Sequence, residues 1–148
     1  MINVVITTIQ PPTPSTIELY RRLSVIQDAT LIVIGDSKGP EAYAINESAG
    51  ELADQNTRIQ FLSLDRQVES ELELAHKLPT GHYSRKNIGY IEAIRSGAQC
   101  IYETDDDNSP LKSWCLRTEY INAPTRIIKK KNNNKWVNVY RYFSKEKI

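Results

Sequence analysis

Runs of aliphatic and β-branched residues alternate along this chain with stretches in which apolar positions recur every three or four residues. Ile2 to Thr8 is the first run, and its near-continuous apolar character predicts a buried strand. Pro11-Pro12-Thr13-Pro14 then blocks regular structure. Ser15 and Glu18 have capping-box spacing, and Ile17, Tyr20, Leu23 and Val25 or Ile26 follow at helical intervals. Ala29 to Ile34 predicts a second buried strand, closed by Gly35-Asp36. Residues 39–56 carry no clear period and read as short helical pieces. Ile59 to Leu64 predicts a third strand. Val68, Leu72, Ala75 and Leu78 then mark one face of a helix stopped by Pro79. Ser84 opens another helix, with Ile88, Ile91 and Ile94 inside and Gly97 placed to end it. Ala98 to Glu103 predicts the fourth strand, with Cys100 as a small core residue.

Strands that alternate with helices predict a mostly parallel sheet with helices on both faces, an α/β fold. Past Asp107 the pattern changes. Lys129-Lys130-Lys131-Asn132-Asn133-Asn134-Lys135 reads as a solvated loop between two possible strands, Thr125–Ile128 and Trp136–Tyr142.

Composition narrows the function classes. A chain of 148 residues, 40% hydrophobic and 25% charged, suits one domain with a real core. A net charge of +1 supplies no global field to recruit nucleic acid or an acidic membrane, so neither is expected as a partner. Cys100 and Cys115 lack metal-ligand spacing and do not suggest a disulfide scaffold, which points to a reducing compartment. Val4 to Ile6 is too short an apolar run for a signal peptide or a membrane span. The expectation is a soluble, cytoplasmic protein.

The chemistry gathers where the predicted strands end. The fourth strand runs into Asp105-Asp106-Asp107, and carboxylates this close repel one another unless a cation sits among them. Hard ions such as Mg²⁺ or Mn²⁺ take oxygen ligands of this kind and bridge them to substrate phosphates. In open α/β sheets, ligands bind outside the carboxyl ends of the strands. Thr7-Thr8, Asp36-Ser37-Lys38 and the aspartates would share that edge. Ser84-Arg85-Lys86-Asn87 would open a helix there. Two cations in a first helical turn oppose the macrodipole unless an anion binds, and Arg85 and Asn87 suit a phosphate. Taken alone, the aspartates also fit a polar turn, and Arg85-Lys86 a solvated pair. His76 and His82 are isolated and are not expected to be ligands.

Several segments jointly resemble the STELLO-type glycosyltransferases, which have a GT-A fold. They are Tyr83-Ser84-Arg85-Lys86-Asn87-Ile88-Gly89-Tyr90, Ala93-Ile94, Gly97-Ala98 and Ile101-Tyr102-Glu103-Thr104-Asp105-Asp106-Asp107-Asn108. Val4-Val5-Ile6-Thr7-Thr8-Ile9 and Val33-Ile34-Gly35-Asp36-Ser37-Lys38 are similar to that family too. So is Val137-Asn138-Val139-Tyr140-Arg141-Tyr142-Phe143, with Val139 where the family tends to have proline. The resemblance implies a Rossmann-like sheet and a D-x-D pair, Asp105 and Asp107, as ligands of Mn²⁺ or Mg²⁺. It implies a nucleoside diphosphate sugar as donor, held by Thr8, Asp36, Lys38, Arg85, Asn87, Asp105 and Asp106. The expected organisation is one α/β domain over 1–148, with a nucleotide-binding core over 1–107 and a short acceptor-side extension over 108–148.

GT-A enzymes normally continue well past this motif, whereas here Glu119 and Glu146 stand isolated. The expectation is therefore the donor-binding half of a glycosyltransferase, with no catalytic base assigned. Two other readings stand beside it. One is a non-catalytic nucleotide-sugar-binding or regulatory module. The other is a sugar-nucleotide nucleotidyltransferase, which would usually carry a Gly- and Arg-rich loop where Pro11-Pro12-Thr13-Pro14 stands.

Overall fold

The structure is a computed structural model that describes residues 1–45, 58–116, 120, 122 and 124. Four strands form the sheet: β1 (Ile2–Thr8), β2 (Ala29–Gly35), β3 (Arg58–Leu62) and β4 (Cys100–Glu103). Their order is β3-β2-β1-β4, and every pairing is parallel. The helices are α1 (Pro14–Ser24), α2 (Leu64–Glu69), α3 (Glu73–Lys77) and α4 (Lys86–Arg95), with a 3-10 turn at Tyr83–Arg85 leading into α4. This is an α/β Rossmann-like fold: the strand and helix periods predict the α/β class, and the family resemblance implies the Rossmann-like sheet. These elements lie in one compact unit, Met1–Trp114, and Cys115–Ile148 forms a second. Among the described residues no helix is long and apolar enough to cross a membrane.

The alternation of strand side chains divides the core into two layers. Ile2, Val4 and Ile6 of β1, with Leu31 and Val33 of β2, pack on Leu19, Tyr20 and Leu23 of α1. Val5, Ile32 and Ile34 point the other way, into Leu72, Ala75, Ile88 and Ala93 of the α2–α4 side. Val4, Val5, Ile6 and Leu31 to Ile34 are fully buried, as the central strands of a sheet covered on both faces must be. Each such side chain contributes about 1.5–3 kcal/mol by leaving water.

Several local expectations are corrected. The cap of α1 is Thr13, whose side chain accepts from the Thr16 amide at 3.1 Å, with Pro14 in the first helical position. Ser15 lies inside the helix. The expected helix across Val68–Leu78 is two, because Ser70 is extended (ψ 154°) and its hydroxyl turns back onto the Gln67 carbonyl. Val68 and Ile94 are exposed on the outer faces of their helices. Cys100 is exposed at the start of an edge strand. Gly97 does end α4 in a left-handed conformation (φ +80°). The possible strands at Thr125–Ile128 and Trp136–Tyr142, the Lys129–Lys135 run and most of residues 39–56 lie outside the described residues.

Gly89 sets the distance between α4 and the sheet. A Cβ there would drive into Val5 Cγ1 and meet Ile34 Cγ1 at 3.0 Å, and both belong to packed core residues. Gly89→Ala should lower unfolding free energy by about 1–3 kcal/mol through overpacking, despite a helix-propensity gain of about 1 kcal/mol. Urea unfolding measures it; an equal or more stable variant would show that the helix can step back from the sheet.

Candidate functional site

The strand order reverses between β1 and β4, and α/β sheets bind ligands outside the carboxyl ends of the strands at such a reversal. The acidic turn follows β4 at that edge. Thr8, the last residue of β1, donates to Asp106 Oδ2 at 2.6 Å, and Gln10 Nε2 donates to the same oxygen at 3.2 Å. The Asp106 carbonyl accepts from the hydroxyls of Thr13 and, at 3.2 Å, Thr16. Ser15 Oγ donates to the Asp107 carbonyl at 3.1 Å. The first turn of α1 thus grips the backbone of the acidic turn, and its positive dipole end suits the acids held against it.

On the other side of the turn, Asp105 meets Lys86. Lys86 Nζ donates to Asp105 Oδ1 at 2.7 Å, Glu103 Oε1 at 2.9 Å, the Thr104 carbonyl at 2.9 Å and Tyr83 Oη at 2.6 Å. The ammonium also lies 4.2 Å from the Tyr83 ring centroid. Lys86 is 1% exposed. Burial by itself lowers its pKa, but the hydrogen bonds from Asp105, Tyr83 and Glu103 outweigh that and raise it above the ordinary lysine value. Tyr83 donates to Glu103 Oε1, and that bond, then Lys86, holds the Glu103 carboxyl below its usual range. The same Glu103 bond raises the Tyr83 phenol.

The three consecutive carboxylates therefore diverge. Asp105 is tied to α4 and Asp106 to β1. Asp107 is exposed, and its carboxylate has no hydrogen-bond or ion-pair partner among the described residues. Among the described residues, the other oxygen of Asp105 meets only the Asn108 amide, at 3.4 Å.

Arg85 lies elsewhere than a phosphate ligand would. It is 1% exposed, and its Nε and Nη2 donate to Gln67 Oε1 at 2.9 and 2.7 Å. Its Nη1 donates to the carbonyls of Ala75 (3.5 Å) and Leu78 (3.0 Å), at the carboxyl end of α3 where a cation is favoured. Gln67 Nε2 in turn donates to the carbonyls of Gly35 (2.7 Å) and Leu62 (2.8 Å). The guanidinium is thus an internal tie between the ends of β2 and β3 and the helices beneath them. Neither Arg85 nor Lys86 is a solvated surface charge.

Asp36 follows β2 at the same edge. Its Oδ1 accepts from the amides of Ser37 (2.7 Å) and Gly81 (2.8 Å), and its Oδ2 from the His82 amide (3.2 Å). Lys38 is exposed in the turn closed by the Gly39 amide and the Asp36 carbonyl. Asn87 is exposed, and its amide donates to the Ser84 carbonyl at 2.8 Å. The edge thus brings Thr8 to Asp106 and Lys86 to Asp105, and it commits Asp36 to the loop before the 3-10 turn. Sequence reasoning missed Gln67, Tyr83 and Glu103, and it treated Lys86 only as Arg85's neighbour. The available signal was topological: parallel strands put Glu103 at the edge where α4 begins.

Two variants test these ties. Arg85→Met leaves the Gln67 oxygen and two buried carbonyls short of donors and should cost about 3 kcal/mol of stability, read by urea unfolding. A fully stable variant would show that the Arg85 hydrogen bonds add no net stability to the fold. Acid is the second probe. The folded pKa of Glu103 lies below its unfolded value, so its contribution is complete above about pH 4.3 and is lost as pH falls through the folded value. Below about pH 4, Glu103→Gln should lose less stability per pH unit than the unaltered protein; parallel acid limbs would remove Glu103 from the linkage.

No family model matches the chain. Over 89 residues, 60% of its length, it is 33% identical to "Probable glycosyltransferase STELLO1" of Arabidopsis thaliana. It is 30% identical over 89 residues to "Probable glycosyltransferase STELLO2" of the same plant. The matched stretch is 10% of each relative, so the chain spans about a tenth of the length of these curated proteins. In sequence the chain is thus similar, over part of its length, to two probable glycosyltransferases.

Proposed function

We propose that this chain is the donor-binding part of a glycosyltransferase and takes a nucleoside diphosphate sugar together with Mn²⁺ or Mg²⁺. One observation carries the reading. At the reversal of strand order, an acidic turn is clamped from both sides while the carboxylate of Asp107 is left exposed and, among the described residues, unpartnered. A carboxylate spared from internal contacts, at the place where α/β sheets bind ligands, is available for a ligand. The partial similarity to two glycosyltransferases supports the same reading.

The donor set suits a hard divalent ion held jointly with substrate. Asp107 offers two oxygens and Asp105 offers the one that Lys86 does not take. Among the described residues no group of three or more His, Cys, Asp or Glu gathers, so diphosphate and water oxygens would complete the shell. When bound, the ion would stabilise the charge that accumulates on a departing nucleoside diphosphate. Thr8 ends β1 and Asp36 follows β2 at the carboxyl edge of the sheet, with Lys38 and Asn87 exposed at the same edge. Arg85 would support the site from beneath, through Gln67 and the end of β2.

Thermal shift and calorimetry with uridine and guanosine diphosphate sugars, with and without Mn²⁺, test the proposal. Asp107→Ala should abolish Mn²⁺-dependent binding and change stability by no more than about 0.5 kcal/mol, since the side chain is exposed and makes no internal bond. Unchanged affinity in that variant would take Asp107 out of the site. An unaltered protein that binds no nucleotide sugar would defeat the whole reading.

A further inference from the structure

Lys86 is expensive to bury and has no part in the donor site as described. A lysine is seldom fully buried unless paired, and a cation in a first helical turn opposes the macrodipole. Lys86 is 1% exposed, meets the first condition through Glu103 and Asp105, and runs against the second. Its three N–H groups face four oxygens, on Tyr83, Glu103, Thr104 and Asp105, all within 2.9 Å. No hydrogen is left for a substrate phosphate. The ammonium therefore acts on its neighbours.

Its effect on Asp105 is specific. One carboxylate oxygen is fixed at 2.7 Å from Nζ, and among the described residues the other keeps only the Asn108 amide at 3.4 Å. A carboxylate fastened by one oxygen loses most of its rotational freedom and presents the second in a set direction. The cage is braced from outside as well, because the Tyr83 hydroxyl touches Lys86 and Glu103 and reaches Asp105 Oδ1 at 3.4 Å.

We infer that Lys86 is a positioning residue, which holds Asp105 by one oxygen so that the other faces the bound nucleoside diphosphate. This rests on the donor-site reading. A role in stability alone would lower melting temperature and leave nucleotide affinity independent of Asp105. A positioning role couples the two residues in binding.

The test is a double-mutant cycle on the full chain. Calorimetric binding of UDP and of GDP, each with Mn²⁺, is measured for the unaltered protein, Lys86→Met, Asp105→Asn and the double variant, with melting curves alongside. Lys86→Met should weaken the nucleotide that binds by at least about tenfold, and the double variant should bind no more weakly than the weaker single variant. Additive losses, or full affinity in Lys86→Met, overturn the inference. If Lys86→Met does not fold, Tyr83→Phe replaces it. That change keeps the ring over the ammonium and removes the hydroxyl that braces the cage, and the same non-additivity with Asp105→Asn is required. If the unaltered protein binds neither nucleotide, the donor-site reading falls and takes this inference with it, an outcome distinct from binding that ignores Lys86.

Discussion

Four carboxylates within five residues, Glu103 and Asp105 to Asp107, follow the end of a parallel strand, and the rest of the site is arranged around their mutual repulsion. The fold relieves it by giving the acids different partners. Lys86 takes Glu103 and Asp105, Thr8 and Gln10 take Asp106, and solvent takes Asp107. This solution depends on how closely α4 approaches the sheet. Gly89 is one turn along from Lys86, and its missing side chain lets the helix rest on Val5 and Ile34. A helix standing further off would carry the ammonium away from the end of β4. Core packing and site electrostatics are thus one constraint seen at two depths.

Arg85 and Lys86 are adjacent cations with separate duties. Successive residues of a helix point about 100° apart, at 3.6 residues per turn. One guanidinium runs beneath the sheet edge to Gln67 and the end of α3, and one ammonium turns to the acids. Arg85 has no carboxylate within ion-pair distance among the described residues, so its buried charge is met by carbonyl and amide oxygens and by the dipole of α3. Through Gln67 it also holds Gly35, and the next residue, Asp36, organises Gly81 and His82 at the start of the segment that carries both cations. The network closes on itself, which suits a site that must be rigid before a ligand arrives.

The sequence reading was strong where a period has a unique physical cause. Ile2–Thr8 and Ala29–Gly35 are buried on both faces, so their continuous apolar runs identified them as central parallel strands. The left-handed Gly97 was equally legible, because few other residues end a helix that way. Reading failed where a side chain's partner comes from a distant segment. Nothing in the local pattern says that Thr13 rather than Ser15 caps α1, since both hydroxyls also answer to the acidic turn more than ninety residues away. Arg85 looked like a phosphate ligand because charge and helix position are visible in sequence, while the carbonyls that absorb it are not. Cys100 looked buried because an edge strand and a central strand share the same letters.

A further consequence concerns what the site can accept. Of the four carboxylates, two pair with the buried ammonium of Lys86, so the turn keeps a negative excess after its internal contacts are made. A bare diphosphate brings more negative charge and is repelled at that surface, with the exposed Lys38 as the cation at the neighbouring strand end. Under the donor-site reading, nucleotide and divalent ion must therefore bind as a unit or in close succession, because each removes the charge penalty of the other. The internal lysine does not replace the metal in this scheme. It lowers the repulsion between Glu103 and Asp105, and it leaves Asp107 uncommitted.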